Sequence, residues 1–485
     1  MSPSRRQCRL SGDEKRGFGL SRERLVVIGG DAGGMTAASQ ARRRRDADEL
    51  EIVAFERGEH TSYSACGIPY FIAGDVGALD DLVARTPAEH RARDIDVHLR
   101  HEVVAIDLAR RAVQVADLDG GTERWEPFDS LVYATGSVPM RPDLPGSDAD
   151  GIFGVQTLDD GALIRRVLES DGADRPPPRR AVVVGGGYIG LEMAEALVKH
   201  GLDVTLIEAA AHPMSTLDPD VGALIADAIR GVGVTLYEGE RVTGFGTDGG
   251  RGGGHVTSVA TAEREVPADI VLLGLGSRPN VALARDAGIP LGTSGGVAVD
   301  RRMQTQIAAV WAAGDCVESF HRVSRAPVVV ALGTHANKQG RVAGINIGGG
   351  YAAFHGVVGT AVSKICEYEV ARTGLNEREA AAAGFQYVTA EFEGTTRAGY
   401  FPGTMPIRIK MLAERRTGRL LGAQIVGREG AAKRIDVIAL ALWNEMTVED
   451  LLGTDLSYAP PFSPVWDPVL VAARRTFEAV EGGPA

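Results

Sequence analysis

Four cysteines, at positions 8, 66, 316 and 366, carry the most reactive side chains of this 485-residue chain. None forms a Cys-x-x-Cys pair or shows metal-ligand spacing, so neither a metal site nor a dense disulfide framework is expected, and each thiol has to be read alone. Cys66 has the setting best suited to chemistry. It lies in Thr61-Ser62-Tyr63-Ser64-Ala65-Cys66-Gly67-Ile68-Pro69-Tyr70-Phe71, just before an apolar stretch able to begin a helix. A helix N-terminus lowers a thiol pKa below its free value of about 8.5, which would give the thiolate that disulfide exchange requires. The competing reading is a small apolar residue packed in a core. Cys8, Cys316 and Cys366 are assigned that structural role.

The elements before Cys66 would hold a nucleotide. A buried strand, Leu25 to Ile28, runs into Gly29-Gly30-Asp31-Ala32-Gly33-Gly34, then a helix from Met35 to Arg45 and a strand from Glu51 to Phe55 ending in Glu56. In such a βαβ unit the helix N-terminus turns free N–H groups and a partial positive charge towards a pyrophosphate, while a carboxylate about 20 residues on holds the ribose hydroxyls. Asp31 replaces the middle glycine of the fingerprint. The pattern then recurs: Ala181 to Val184, Gly185-Gly186-Gly187-Tyr188-Ile189-Gly190, a helix through Lys199, and a strand Asp203 to Ile207 ending in Glu208. All three fingerprint glycines, Gly185, Gly187 and Gly190, are present here. Two complete units imply two bound dinucleotides.

Composition narrows the partners. With 52 basic and 64 acidic residues the net charge is −12, which argues against nucleic acid or an anionic membrane and towards small molecules. The length suggests about three domains at roughly 150 residues each. No stretch approaches the roughly 18 uncharged apolar residues of a spanning helix. The first 24 residues lack an apolar signal core, and no hydrophobic run follows Arg5-Arg6, so a cytoplasmic protein with a disordered leader over 1–24 is expected. Arg175-Pro176-Pro177-Pro178-Arg179 reads as a stiff connector and Thr247 to Gly254 as a hairpin loop. From about Tyr351 the glycine fingerprints stop. Strands over Met405 to Met411 and Leu420 to Val426 and a helix over Ala431 to Asn444 predict a smaller α+β domain.

From about residue 24 onward the chain resembles the pyridine nucleotide-disulfide oxidoreductases, flavoproteins built from FAD, NAD(P) and dimerisation domains. Besides the two fingerprints, Thr135-Gly136 in Leu131-Val132-Tyr133-Ala134-Thr135-Gly136 resembles the family's crossover, and Ala313-Gly314-Asp315 resembles its second FAD motif. The resemblance implies an α/β fold with two Rossmann-like dinucleotide-binding domains and a C-terminal α+β dimerisation domain. It divides the chain into an FAD-binding domain over 25–152 and 277–350, an NAD(P)-binding domain over 153–276 and a dimerisation domain over 351–485. The cofactor positions it implies are Gly29, Gly33, Gly34, Glu56, Arg57, Thr135, Gly136, Gly185, Gly187, Gly190, Glu208, Gly276, Gly314 and Asp315, with Asp315 on the flavin ribityl chain.

Within the family, Ser62-x-x-x-Cys66-Gly67-x-Pro69-Tyr70 is similar to the single-cysteine subgroup of coenzyme A-disulfide reductases and NADH oxidases. Glutathione reductase and its relatives carry a second cysteine and a C-terminal histidine base, whereas here no histidine follows His355. Peroxidases and oxidases of the subgroup place a catalytic histidine where this chain has Ala32. Arg397-Ala398-Gly399-Tyr400-Phe401-Pro402-Gly403 and Ser457-Tyr458-Ala459-Pro460-Pro461-Phe462 match the two tyrosine motifs of the disulfide reductase branch. The resemblance therefore implies Cys66, Tyr400 and Tyr458 as catalytic residues, the tyrosines acting across a homodimer. Read without it, each tyrosine would be an ordinary core aromatic. Substrate contacts fall on Thr36, Gln40, Arg43 and Ser62, while Ala65, Asp94 and Trp466 depart from the subgroup and weaken the expected grip on coenzyme A phosphates. The other basic residues of Arg42-Arg43-Arg44-Arg45 are read as offsetting the helix dipole.

Glu208-Ala209-Ala210-Ala211-His212 has a carboxylate and no arginine at the ribose end, which favours NADH over NADPH. The expected activity is FAD-dependent, NAD(P)H-driven reduction of a low-molecular-weight disulfide such as coenzyme A disulfide through Cys66. Its rivals are an NADH oxidase cycling through a cysteine sulfenic acid and a redox-sensing or electron-transfer flavoprotein acting on a protein partner. The lack of a rhodanese-like segment after residue 485 speaks against persulfide processing.

Overall fold

The computed structural model describes residues 22–170, 176–249 and 253–482. Cys8, nearly all of the expected leader, Arg175 of the connector and part of the Gly-rich loop lie outside them. Two parallel five-stranded sheets dominate the first three quarters of the chain. In the first, Glu23–Ile28 lies between Leu50–Phe55 and Ser130–Tyr133, flanked by Asp96–His98 and Val310–Ala312, all parallel. Leu25, Val26 and Val27 are fully buried, as expected for a parallel sheet covered on both faces, which is why the strand reads as an unbroken apolar run.

The second sheet repeats this plan. Arg180–Val184 lies between Asp203–Glu208 and Ile270–Leu273, with Thr235–Glu238 and Ile152–Phe153 at the edges. The chain leaves the first sheet along Ser137–Pro139 and returns along Ser277–Pro279, and these two strands pair antiparallel to each other. A hairpin joins Val242–Thr247 to Val256–Thr261, as the Gly-rich stretch predicts.

A five-stranded antiparallel sheet follows, ordered Ala361–Ile365, Tyr368–Gly374, Leu420–Gly427, Pro406–Glu414 and Tyr387–Thr395. The helices Ile435–Trp443 and Pro468–Val480 share its apolar core. Buried Lys410 of this sheet reaches into the second nucleotide unit, its Nζ 2.8 Å from Asp220, 3.3 Å from Asp218 and 3.2 Å from Glu377. The two-Rossmann-plus-α+β class is thus the observed one. Element ends shift where the glycine turn is concerned: the first helix spans Ala32–Arg42 rather than Met35 to Arg45, because the Asp31 carbonyl already accepts from Met35 N at 2.9 Å and Gly33 and Gly34 form the first turn.

Candidate active site

The first glycine turn is shaped by close approach. Gly29 has φ +103°, and a side chain there would collide with the Ala134 carbonyl. A side chain on Gly34 would strike the Gly29 carbonyl, and one on Gly33 would lie 3.1 Å from the Ala313 carbonyl. The helix Ala32–Arg42 therefore begins hard against the sheet, with its N-terminal amides facing the strand ends. Glu56 is fixed there by backbone donors: Gly30 N donates to its Oε2 at 2.7 Å and Gly58 N to its Oε1 at 2.8 Å. The second unit builds the same device. Gly186 N and Ala210 N each donate to Glu208 at 2.6 Å, and a side chain on Gly190 would strike the Gly185 carbonyl. Gly187, by contrast, meets only one atom, at 3.8 Å, which leaves room for a ligand at the mouth of the turn.

The crossover residues converge between these cradles. Thr135 Oγ1 donates to the Asn280 carbonyl at 2.7 Å, and Asn280 N donates to the Gly136 carbonyl at 3.0 Å. Gly136, Gly276 and Gly314 all adopt positive φ. Gly314 N donates to Gln339 Oε1 at 2.7 Å, and Ser137 Oγ donates to Asp315 at 3.4 Å. A cleft of about 590 Å³ opens beside them, lined among others by Glu56, Arg57, His60, Tyr63, Met140 and Asp159.

Cys66 is exposed and sits in a short 3₁₀ turn, Ala65–Gly67, that leads into the five-residue helix Ile68–Ile72. The expectation of a lowered thiol pKa is corrected by its surroundings. Desolvation by the protein packed around it pushes the thiol up, and the carboxylates of Glu192, Asp315 and Asp31 add to this. Its own backbone N–H does act in the expected direction, but it is the weakest of these influences, as befits so short a helix. Burial, with Glu56 and Asp315 close by, likewise raises Asp31 to about 6. Cys316 and Cys366 are buried, their thiols pushed up by desolvation to about 12 and about 11, in keeping with structural roles.

The proposed substrate positions divide. Thr36 Oγ1 donates to Asn337 Oδ1 at 2.8 Å, across a helix pair so close that a side chain on Gly340 would strike the Gly33 carbonyl. Gln40 accepts from Arg44 at 3.2 Å. Arg42 is bound to the carbonyls of Arg45, Leu50 and Asp94, and Arg45 to Glu23. Among the described residues Arg43 alone of the four has no such partner, and it is exposed. Tyr400 and Tyr458 are not core aromatics: they are 78% and 46% exposed. Neither hydrogen-bonds to Cys66 within the chain.

A family model described as pyridine nucleotide-disulphide oxidoreductase matches residues 23–340, and the dimerisation-domain model of the same family matches residues 360–468. The chain belongs to this family. Among its relatives, a CoA-dependent NAD(P)H sulfur oxidoreductase of Pyrococcus abyssi is 38% identical over 452 residues, covering 93% of this chain and 97% of that protein. A coenzyme A disulfide reductase of Staphylococcus epidermidis is 30% identical over 442 residues, covering 91% and 96%. The solved structure of an NAD-dependent persulfide reductase from A. fulgidus superimposes with a TM-score of 0.89 at 35% identity, covering 95% of this chain and 84% of that one.

As a pyridine nucleotide-disulphide oxidoreductase, the protein is a flavoenzyme that uses FAD and NAD(P)H. Its two cradles fit these groups, since each combines a glycine turn too tight for side chains, a helix N-terminus and a backbone-fixed carboxylate. No helix among the described residues is long and apolar enough to cross a membrane.

Three residues that contact the candidate site positions were not read from the sequence. Glu192, whose carboxyl is raised by burial, accepts from Ser363 at 2.7 Å and faces the Cys66 thiol electrostatically. Its signal was a carboxylate that, with Glu195, interrupts the buried run Leu191, Met193, Ala194, Ala196 and Leu197 of its helix. Asn337 and His90 gave no comparable signal, because each is defined by a partner distant in sequence.

Proposed function

We propose that this protein reduces small sulfur–sulfur substrates, low-molecular-weight disulfides such as coenzyme A disulfide foremost, through the single thiol of Cys66. The observation that carries this reading is an exposed Cys66 with no second cysteine beside it among the described residues, where Cys316 and Cys366 are buried free thiols; this supports a second sulfur supplied by the substrate. Bound FAD and NADH supply two electrons as a hydride. The thiolate of Cys66 attacks one substrate sulfur, forming a mixed disulfide and expelling the first thiol. Two electrons then cleave the mixed disulfide, returning the Cys66 thiolate and the second thiol, so that one NADH and one proton convert one disulfide into two thiols. Tyr458 and Tyr400 of a second subunit orient or protonate the departing sulfur in place of a histidine. Cofactor, substrate and catalytic residues keep the assignments made from the resemblance, as do the three domains.

A homodimer is part of this reading. It is supported by the match to the dimerisation-domain model and by the exposed apolar side chains of Phe462, Val465 and Trp466 near Tyr458 in the chain. The relatives named as sulfur and persulfide reductases extend the candidate substrates to persulfides, despite the expectation drawn from the missing rhodanese-like segment. A cytoplasmic location accords with reducing chemistry of this kind. The test is Cys66→Ser in the flavin-loaded protein, assayed for NADH-driven thiol release from several disulfides. Loss of release with flavin still reduced by NADH supports the reading. Retained release, or oxygen uptake that outpaces disulfide reduction in the unaltered enzyme, overturns it.

A further inference from the structure

Ser62 is held in a backbone conformation that a non-glycine residue seldom adopts, with φ +51°. The surrounding structure enforces it from two sides. Ser62 N donates to the Gly30 carbonyl at 3.0 Å and Ala84 N donates to the Ser62 carbonyl at 2.8 Å. The neighbouring Thr61 hydroxyl donates to the same Gly30 carbonyl, and Tyr63 N donates to Asp31 at 3.2 Å. The loop that carries Cys66 is thus stitched to the first glycine turn, and the Ser62 hydroxyl is set by that stitching.

That hydroxyl lies 2.9 Å from Nε2 of His90, a side chain with no exposed surface on the short helix Pro87–Arg91. The other ring nitrogen, Nδ1, has no partner among the described residues. Burial, reinforced by Arg85 and Arg93, pushes the imidazole pKa down to about 4, so the ring is neutral at working pH and carries one N–H. Placed on Nδ1, that proton would be a buried donor with no acceptor, which folded proteins avoid more strictly than an unused acceptor lone pair. Placed on Nε2, it is donated to Ser62 Oγ. The serine proton then cannot point at the histidine and is available to an acceptor in the site.

We propose that His90 is a positioning residue that, by donating to Ser62 Oγ, makes the Ser62 hydroxyl a hydrogen-bond donor to an oxygen acceptor, amide carbonyl or phosphate, on the disulfide substrate. The inference rests on the disulfide reductase reading above and adds to it the residue that sets the polarity of one substrate contact. Nothing in the chemistry of Cys66 requires it.

The experiment compares the flavin-loaded enzyme with its Ser62→Ala, His90→Phe, His90→Gln and Ser62→Ala/His90→Phe variants. Each is assayed for NADH-driven thiol release from coenzyme A disulfide and from pantethine, which keeps the amides and lacks the phosphates. Losing one neutral hydrogen bond should raise KM about three- to tenfold in Ser62→Ala and in His90→Phe, with the double variant no worse than either. His90→Gln, which keeps an N–H donor, should restore most of the affinity. A rise with both substrates places the acceptor on an amide carbonyl, and a rise with coenzyme A disulfide alone places it on a phosphate. Unchanged KM in His90→Phe, effects that multiply in the double variant, or His90→Gln behaving like His90→Phe would each overturn the role of His90 as a donor. Should the unaltered enzyme release no thiol from either compound, the disulfide reading itself falls, an outcome separate from all of these.

Discussion

The phenols of Tyr458 and Tyr400 interact with each other, and this interaction raises the Tyr458 phenol above its ordinary value. Two phenols interacting in this way are expected to act as a unit. On the proposed mechanism Tyr458→Phe removes the proton donor for the departing sulfur. Thiol release should fall by about 10²-fold, the lower end of what a positioned general acid contributes. Adding Tyr400→Phe should cost little more, because both changes remove the same interaction. Stopped-flow measurement of flavin reduction by NADH, expected to be unchanged, separates this from a folding defect.

The Cys66 thiol should ionise at a pH above that of a free cysteine, since desolvation and the Glu192, Asp315 and Asp31 carboxylates all favour the protonated form. Its alkylation rate should therefore climb through alkaline pH, and disulfide reduction should climb with it. Glu192→Gln removes the largest of the three charge contributions and should move the profile towards lower pH. A profile that does not move in Glu192→Gln would show that this carboxylate does not act on the thiol.

NADH should be strongly preferred to NADPH. The 2′-phosphate would meet Glu208 and also Glu238, which lies directly opposite it on the neighbouring strand. His212 and Arg230, the basic residues that contact Glu238, are both held by its carboxylate, His212 at 2.8 Å. Glu208→Ala should narrow the kcat/KM ratio of the two nucleotides by about tenfold or more, as measured by flavin reduction.

Lys410→Met should destabilise the protein by about 3–5 kcal/mol, because it leaves buried Asp218 without its charge partner. Although desolvation pulls the Lys410 amine down, Asp220, Asp218 and Glu377 outweigh it and hold its pKa above the ordinary 10.5. A pKa raised in the folded state gives stability that is complete below the unfolded value and is lost as pH rises through the folded one. Denaturant titrations at neutral and strongly alkaline pH should thus converge for the unaltered protein and the variant.

Both nucleotide cradles were legible in the sequence because their physics is local. A tight turn, a helix start and a carboxylate at the end of the next strand lie within about 25 residues of one another. Even Asp31, which breaks the fingerprint, does not disturb this, since the steric demand falls on Gly29 and Gly34. The acidity of Cys66 was not legible. It depends on Glu192, Asp315 and Asp31, which come from three separate segments, and on how much protein packs around the thiol. The exposure of Tyr400 and Tyr458 also contradicts the core role that aromatic residues alone suggest. Lys410 and its three carboxylates could not be paired from sequence, because Lys410 lies on a strand while Asp218 and Asp220 begin one helix and Glu377 begins another.

The antiparallel pairing of Ser137–Pro139 with Ser277–Pro279 places the exit from the first sheet beside the return to it. Everything between them is therefore threaded in at one point, like a bead on a loop with its two ends touching. A retuning of nicotinamide preference within this segment should leave the strand register around the flavin cradle unchanged, because none of its residues pairs in that sheet.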